Sequence, residues 1–245
     1  MIVLNAAMQK AGTLWVHGMT NELLVASGYR DFEDVRQRYR LTWFMRPSGH
    51  VPPLKWYKLL HLLVPHIAGE TFAVSTHAPP TKGVQWAIRR GVIKAIYIYR
   101  DPRDVARSLF EHGAYLRDQA IESSTGFQHI KSIEDGIRLA QSFLPIWSQW
   151  KRTPGTLLLR YEDLRRDPER ELGRMAMHLD LNLDPQVIHQ IADRYDARHQ
   201  REGSFASMHF NKGVVGRWRD VMSAEQQTLA RAIFGSVLAE MGYEE

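Results

Sequence analysis

The chain has 245 residues, room for one large α/β domain or two small ones, and its 44% hydrophobic and 24% charged content supports a packed core and excludes a disordered chain. It has no cysteine, which excludes disulfides, thiol catalysis and Cys-bound metal together. The formal net charge of +5 suits an anionic ligand, nucleic acid or an anionic membrane surface, and the dispersed Lys and Arg do not choose among them.

Ile2 to Ala6 is short and apolar, as a buried strand should be. Gln9 to Thr13 interrupts it with Lys10 and Gly12, and from Leu14 apolar residues recur at helical spacing (Leu14, Val16, Met19, Leu23, Leu24), with Gly28 as C-cap. This strand–loop–helix unit aims the helix's free N–H groups and its dipole at the loop. Gly12 permits close backbone approach and Lys10 adds a mobile charge, so the unit is suited to an anion such as phosphate. It is not a Walker loop, which needs GxxxxGK[ST]; an ordinary strand–helix turn with a surface Lys is the plain alternative.

Asp31 to Arg38 reads as a short polar helix. Leu41 to Pro53 should be irregular, and Leu54 to Val64 an unusually apolar helix with Lys55, Lys58 and His61 on one face. That pattern fits a core helix with one wet stripe, or else an acceptor-pocket wall or a docking face. Thr71 to Ser75 is a strand ending at Thr76-His77-Ala78-Pro79-Pro80, and His77 stands where open α/β sheets place their chemistry. A short helix ends at Arg89, and Val92 to Tyr99 is the best strand in the chain. It leads into Arg100, with Asp101 as N-cap, Pro102 at N1 and Asp104 in the first turn of a helix that carries Ser108. Arg100 and Ser108 together suit one anion, against the plainer reading of a capped junction with a surface Arg.

Glu111 to Ile133 reads as a mobile connection or lid, and Ile137 to Trp150 as one amphipathic helix. Thr156 to Arg160 is a further buried strand before Tyr161-Glu162-Asp163. Asp167-Pro168 opens a helix, Pro185 to Tyr195 is another, Gln200 to Met222 is a Gly-punctuated loop, and Ser223 with Gln226 makes a capping box for the closing helix. There is no cationic leader with an apolar core and no apolar run of about 18 residues, so a soluble, cytoplasmic protein without stable membrane insertion is expected.

Five separated segments, in register, resemble one family: the PAPS-dependent sulfotransferases, soluble enzymes that move a sulfuryl group from 3′-phosphoadenosine 5′-phosphosulfate (PAPS) to an alcohol, phenol or amine. The family's PKSGTTW is Gln9-Lys10-Ala11-Gly12-Thr13-Leu14-Trp15, and its KTHLP is Ser75-Thr76-His77-Ala78-Pro79. Its Arg and Ser eight residues apart are Arg100 and Ser108, and its YED is Tyr161-Glu162-Asp163. Its RKGxxGDWK is Asn211-Lys212-Gly213-Val214-Val215-Gly216-Arg217-Trp218-Arg219.

The resemblance implies a single α/β domain spanning 1–245, with a P-loop-like central parallel sheet flanked by helices on both faces. It implies His77 as general base and Lys10 as its catalytic partner. The co-substrate ligands it implies are Lys10 through Trp15 for the phosphosulfate arm, with Ala11, Gly12, Thr13 and Leu14 between them. Trp15 and Phe205 would enclose the adenine, with Tyr161 near its amino edge and Ser204 beside Phe205 in the chain. Arg100, Ser108, Asn211, Lys212 and Gly213 would serve the 3′-phosphate. PAPS would be the co-substrate and 3′,5′-adenosine bisphosphate (PAP) the product, with a small-molecule acceptor, no metal and no nucleic acid.

The departures are specific. Ala11 and Leu14 replace hydroxyl residues, Ser75 and Asn211 replace cations, and Arg217 replaces an acid. The family's dimerisation pattern KxxxTVxxxE is not matched from Arg219 through Ser223-Ala224 to Thr228, so the usual dimer is not expected. A P-loop-like kinase would require a GK[ST] loop and magnesium, a basic nucleic-acid binder would require aromatics along an exposed basic strip, and a degenerate nucleotide-binding relative would bind without turnover.

Overall fold

The computed structural model describes residues 1–122, 125–195 and 215–244. In chain order it runs β1 (Ile2–Ala7), α1 (Thr13–Ala26), α2 (Phe32–Arg38), a 3-10 turn at Leu41–Trp43, α3 (Trp56–Ile67), β2 (Phe72–Thr76), α4 (Lys82–Arg89) and β3 (Ile93–Tyr99). There follow α5 (Pro102–Asp118), a second 3-10 turn at Phe127–His129, α6 (Ile133–Gln141), α7 (Leu144–Lys151) and β4 (Thr156–Arg160). The chain closes with α8 (Tyr161–Arg166), α9 (Pro168–His178), α10 (Pro185–Tyr195), α11 (Trp218–Val221) and α12 (Ala224–Leu238). Of these residues, 1–99 with 147–195 form one compact unit, and 100–146 with 215–244 the other.

The first unit holds a four-stranded sheet, order β2-β1-β3-β4, parallel throughout. Every residue of β1 and β2 is buried, which is why both strands read as near-continuous apolar runs rather than alternating ones. One sheet face, including Val3, Ala73, Ile96 and Leu159, shares a core with Met19 of α1 and Met175 of α9. The register pairs Ala6 with Thr76, Ala7 with Ile98 and Tyr99 with Arg160, so all four strands finish along one edge. The connections leaving β1 and β3 turn opposite ways, which makes that edge the topological switch point where such sheets bind ligands.

In the second unit Asp101 caps α5 through the Arg103 N–H at 2.9 Å and grips the Arg103 guanidinium. That guanidinium also lies 4.0 Å from the Trp218 ring centre and donates to the Glu244 carbonyl. Helices α5 and α6 touch backbone to backbone at Gly136, where an added Cβ would sit 2.3 Å from the Ala106 carbonyl oxygen. Gly136→Ala is expected to cost about 1–3 kcal/mol in chemical denaturation, because a carbonyl of a helix cannot swing aside as a flexible side chain can.

Three stretches differ from the sequence reading. Helix α5 continues to Asp118, so the first third of the expected lid, Glu111 to Asp118, is helix, and Gly113 lets the Phe127 and Ile130 carbonyls pack against its Cα. Arg117 donates to both the Gln128 and Ile130 carbonyls, tying the next stretch down. The expected helix from Ile137 to Trp150 is two helices, α6 opened by a Ser132–Asp135 capping box and α7. Pro145 divides them, since its ring removes an N–H and crowds the carbonyl of Gln141. Helix α3 buries Leu59 and Leu62 and exposes its N-cap Lys55 and His61, but it also leaves Trp56 73% and Ile67 81% exposed, so its outward face is apolar as well as wet.

Candidate functional site

β1 ends at Ala7, and the Met8 N–H still reaches the Ile98 carbonyl at 2.9 Å, so the following loop starts from a fixed point. Lys10 then takes φ +63 and Gly12 φ +91, both left-handed, and the turn closes with the Ala11 N–H on the Met8 carbonyl. The left-handed conformation costs a residue with a Cβ about 1–2 kcal/mol, a strain the sheet and α1 hold in place at Lys10. At Gly12 there is a second reason for glycine: an added Cβ would lie 3.3 Å from the Tyr161 ring.

Gly12 is also the N-cap of α1, and it offers no side-chain acceptor to the first-turn N–H groups. No acidic residue stands in that turn. By contrast α2, α4, α5 and α9 are capped by Asp31, Thr81, Asp101 and Asp167. The first turn of α1 is thus left to an anion, with the helix dipole and Lys10 favouring one. Behind the loop, Trp15 and Tyr161 meet edge to face with ring centres 5.8 Å apart. The Trp15 indole N–H donates to the Tyr195 carbonyl and the Arg165 guanidinium lies 5.5 Å from its ring centre.

His77 stands one residue beyond β2, half-buried, with Nδ1 2.9 Å from the Ala7 carbonyl oxygen. A carbonyl accepts only, so Nδ1 carries the proton and Nε2 keeps its lone pair. Burial lowers the His77 pKa below the ordinary imidazole value; the Ala7 hydrogen bond opposes this, and the Lys10 charge adds to it. The sheet edge therefore brings Lys10, Gly12, Trp15, Tyr161 and His77 together from separated parts of the sequence.

In the second unit Arg100 is 5% exposed, which rules out the reading of a surface Arg. Its Nη2 lies 3.6 Å from Asp104 Oδ2, and Ser108 is buried one turn further along α5. Ser204, Phe205, Asn211, Lys212 and Gly213 lie outside the described residues.

Sequence reading did not single out His50. The backbone of Gly49 to Val51 runs beside Ser75, with N–H to carbonyl distances of 2.8 Å on both sides, and this sets the His50 ring centre 5.2 Å from that of His77. Burial, then the neighbouring His77 and Arg46, hold the His50 pKa down to about 4. No local pattern could have found it, because an added strand-like pairing, not a motif, puts it there. Ser75 itself is fully buried and its hydroxyl has no hydrogen-bond partner, so the cation that the family pattern has here has no counterpart at this position.

The sulfotransferase domain family's sequence profile matches residues 2–242. Cytosolic sulfotransferase 15 of Arabidopsis thaliana is 24% identical over a stretch covering 98% of this chain and 72% of that protein. Cytosolic sulfotransferase 14 of the same plant is 26% identical over 78% of this chain, a stretch that spans 58% of its own length. Among solved structures, a retinol dehydratase in complex with androsterone and the inactive cofactor PAP has a similar fold, with TM-score 0.60, 19% identity, and coverage of 96% of this chain and 80% of the other. Among the described residues no helix is long and apolar enough to cross a membrane.

Proposed function

The chain belongs to the sulfotransferase family, and from that premise we propose that it moves a sulfuryl group from PAPS to the hydroxyl, or amine, of a small apolar or aromatic acceptor. One observation carries the reading. The imidazole of His77, its Nδ1 proton held by Ala7, stands at the same sheet edge as Lys10 and the uncapped start of α1. A base and an anion cradle are what sulfuryl transfer needs, since it resembles phosphoryl transfer in asking the protein mainly for alignment and charge stabilisation.

The residues fit the nucleotide: an uncapped helix start without acids, a glycine where a Cβ would press on Tyr161, and a buried Arg100. PAPS supplies the activated sulfuryl group when bound. His77 Nε2 takes the proton of the acceptor as its oxygen attacks sulfur. Lys10, with the N–H groups of Gly12 and Thr13, would stabilise the charge that grows on the departing 5′-phosphate as the sulfur–oxygen bond breaks; the Ala11 N–H is taken by the Met8 carbonyl. By the family resemblance, Trp15 and Tyr161 would serve the adenine, and Arg100 and Ser108 would hold the 3′-phosphate. Ser204, Phe205, Asn211, Lys212 and Gly213 enter this reading by resemblance alone. The whole chain, 1–245, would act as one sulfotransferase domain, and the cytosolic naming of its relatives supports a cytoplasmic setting.

The exposed apolar residues Trp43, Trp56 and Leu60 support an apolar acceptor, as does the androsterone held by the solved retinol dehydratase. A screen in which charged sugars turn over while phenols, sterols and fatty alcohols do not would overturn that part. The nucleotide assignment is tested by calorimetric titration of PAP. One-to-one binding is expected in the wild type, weakened by about 100-fold in Arg100→Ala, as loss of a buried charge-assisted contact requires. Binding indifferent to Arg100 would refute the assignment.

A further inference from the structure

Helix α5 carries a second buried arginine that the family pattern does not use. Arg107 is 1% exposed. Its Nη2 lies 3.5 Å from Glu111 Oε2, while Nε and Nη1, both buried, meet no acceptor. Arg217, in the turn that leads into α11, approaches the other oxygen of the same carboxylate, Nη2 to Oε1 3.4 Å, and its Nη1 is buried without an acceptor as well. The neighbouring carboxylate cannot serve them. Asp104 accepts the Gly216 N–H at 2.7 Å on Oδ2 and the Trp218 N–H at 3.1 Å on Oδ1, and Arg100 lies 3.6 Å from Oδ2.

Three guanidinium groups thus gather around two carboxylates, one of which is taken up by backbone donors. Burying a guanidinium with N–H groups unanswered is among the costlier arrangements in a protein, and it persists where an anion completes it. Guanidinium forks match the oxygens of a phosphate monoester. Where the family pattern has a cation this chain has Asn211, and where the pattern has an acid it has Arg217. The positive charge is displaced along the segment, and Arg107 faces the displaced group across Glu111.

We propose that Arg107 and Arg217 are ligands for the 3′-phosphate of the nucleotide, joining Arg100 and replacing the cation absent at Asn211. This rests on the nucleotide reading above. It makes the two arginines determinants of selectivity for a nucleotide that carries a 3′-phosphate over one that lacks it. Burial lowers the Arg107 pKa and the charge of Glu111 opposes that; a phosphate dianion would oppose it further.

The test is calorimetric titration of PAP and, separately, of adenosine 5′-monophosphate into wild type, Arg107→Met, Arg217→Gln and Arg217→Lys, each first shown to melt cooperatively. The expected wild type prefers PAP. Arg107→Met and Arg217→Gln should each weaken PAP by about 10–100-fold and leave the monophosphate unchanged, with Arg217→Lys between, since an ammonium keeps the charge without the fork. Arg217 is partly exposed, so its variants test the proposal even where Arg107→Met does not fold. A wild type that discriminates, with Arg217 variants that discriminate equally, overturns this inference alone. A wild type that binds both nucleotides alike overturns the co-substrate reading, and this inference with it.

Discussion

Replacing His77 with alanine is expected to lower sulfuryl transfer by about 10²–10⁴-fold, the usual worth of a positioned base, with PAP affinity unchanged. The prediction follows from the Ala7 carbonyl, which fixes the tautomer and leaves Nε2 to receive a proton. It also fixes a pH dependence. The base acts when neutral, and burial, reinforced by Lys10, lowers its pKa. Activity should therefore persist at about pH 6.5, where a free imidazole is half protonated, and fall only as the pH drops through the lower value. In Lys10→Ala the charge that adds to the effect of burial is gone, so the His77 imidazole, followed by NMR titration without nucleotide, should titrate at higher pH than in the wild type. An acid limb at or above pH 6.5 in the wild type, or a His77→Ala protein of undiminished turnover, would refute the assignment of the base.

The largest expected loss of stability is at Asp104. Its carboxylate is 0% exposed and accepts from the Gly216 and Trp218 N–H groups, with the Arg100 guanidinium beside it. Asp104→Ala removes the acceptor of two backbone donors and the counter-charge of a buried cation at once, a change that costs about 3–5 kcal/mol when a buried pair is broken from one side. For a chain of this size the melting temperature should fall by roughly 6–20 °C. Asp104→Asn keeps one oxygen acceptor and should fall less. Equal melting curves for Asp104→Ala and the wild type would mean that the carboxylate does not hold the 216–218 turn.

Much of this was legible because the signals are local. Asp101-Pro102 and Asp167-Pro168 start helices since a carboxylate reaches N–H groups two or three residues on, whatever surrounds it, and both caps stand where the sequence puts them. The Ser223–Gln226 capping box is formed, and Gly28 takes φ +87 behind α1. The β-branched and aromatic runs became parallel strands because two buried faces demand continuous apolar residues. The loop Lys10 to Gly12 declared itself through an interruption of that pattern.

Other features could not be read along the chain. Glu111 to Asp118 looks polar in sequence, yet Leu116 is buried and Gly113 packs against the stretch that follows, so that length is helix rather than lid. His50 reaches His77 through a backbone pairing with Ser75 that no spacing encodes. Arg107 and Arg217 are two among 32 basic residues until Glu111 is seen between them. Caps, strand content and the loop from Lys10 to Gly12 were determined by the sequence itself, because they depend on atoms within one turn of each other. Which histidine flanks His77, and which arginines keep buried N–H groups without an acceptor, was decided by the tertiary structure, because strand register and helix packing alone bring distant side chains within a few ångströms.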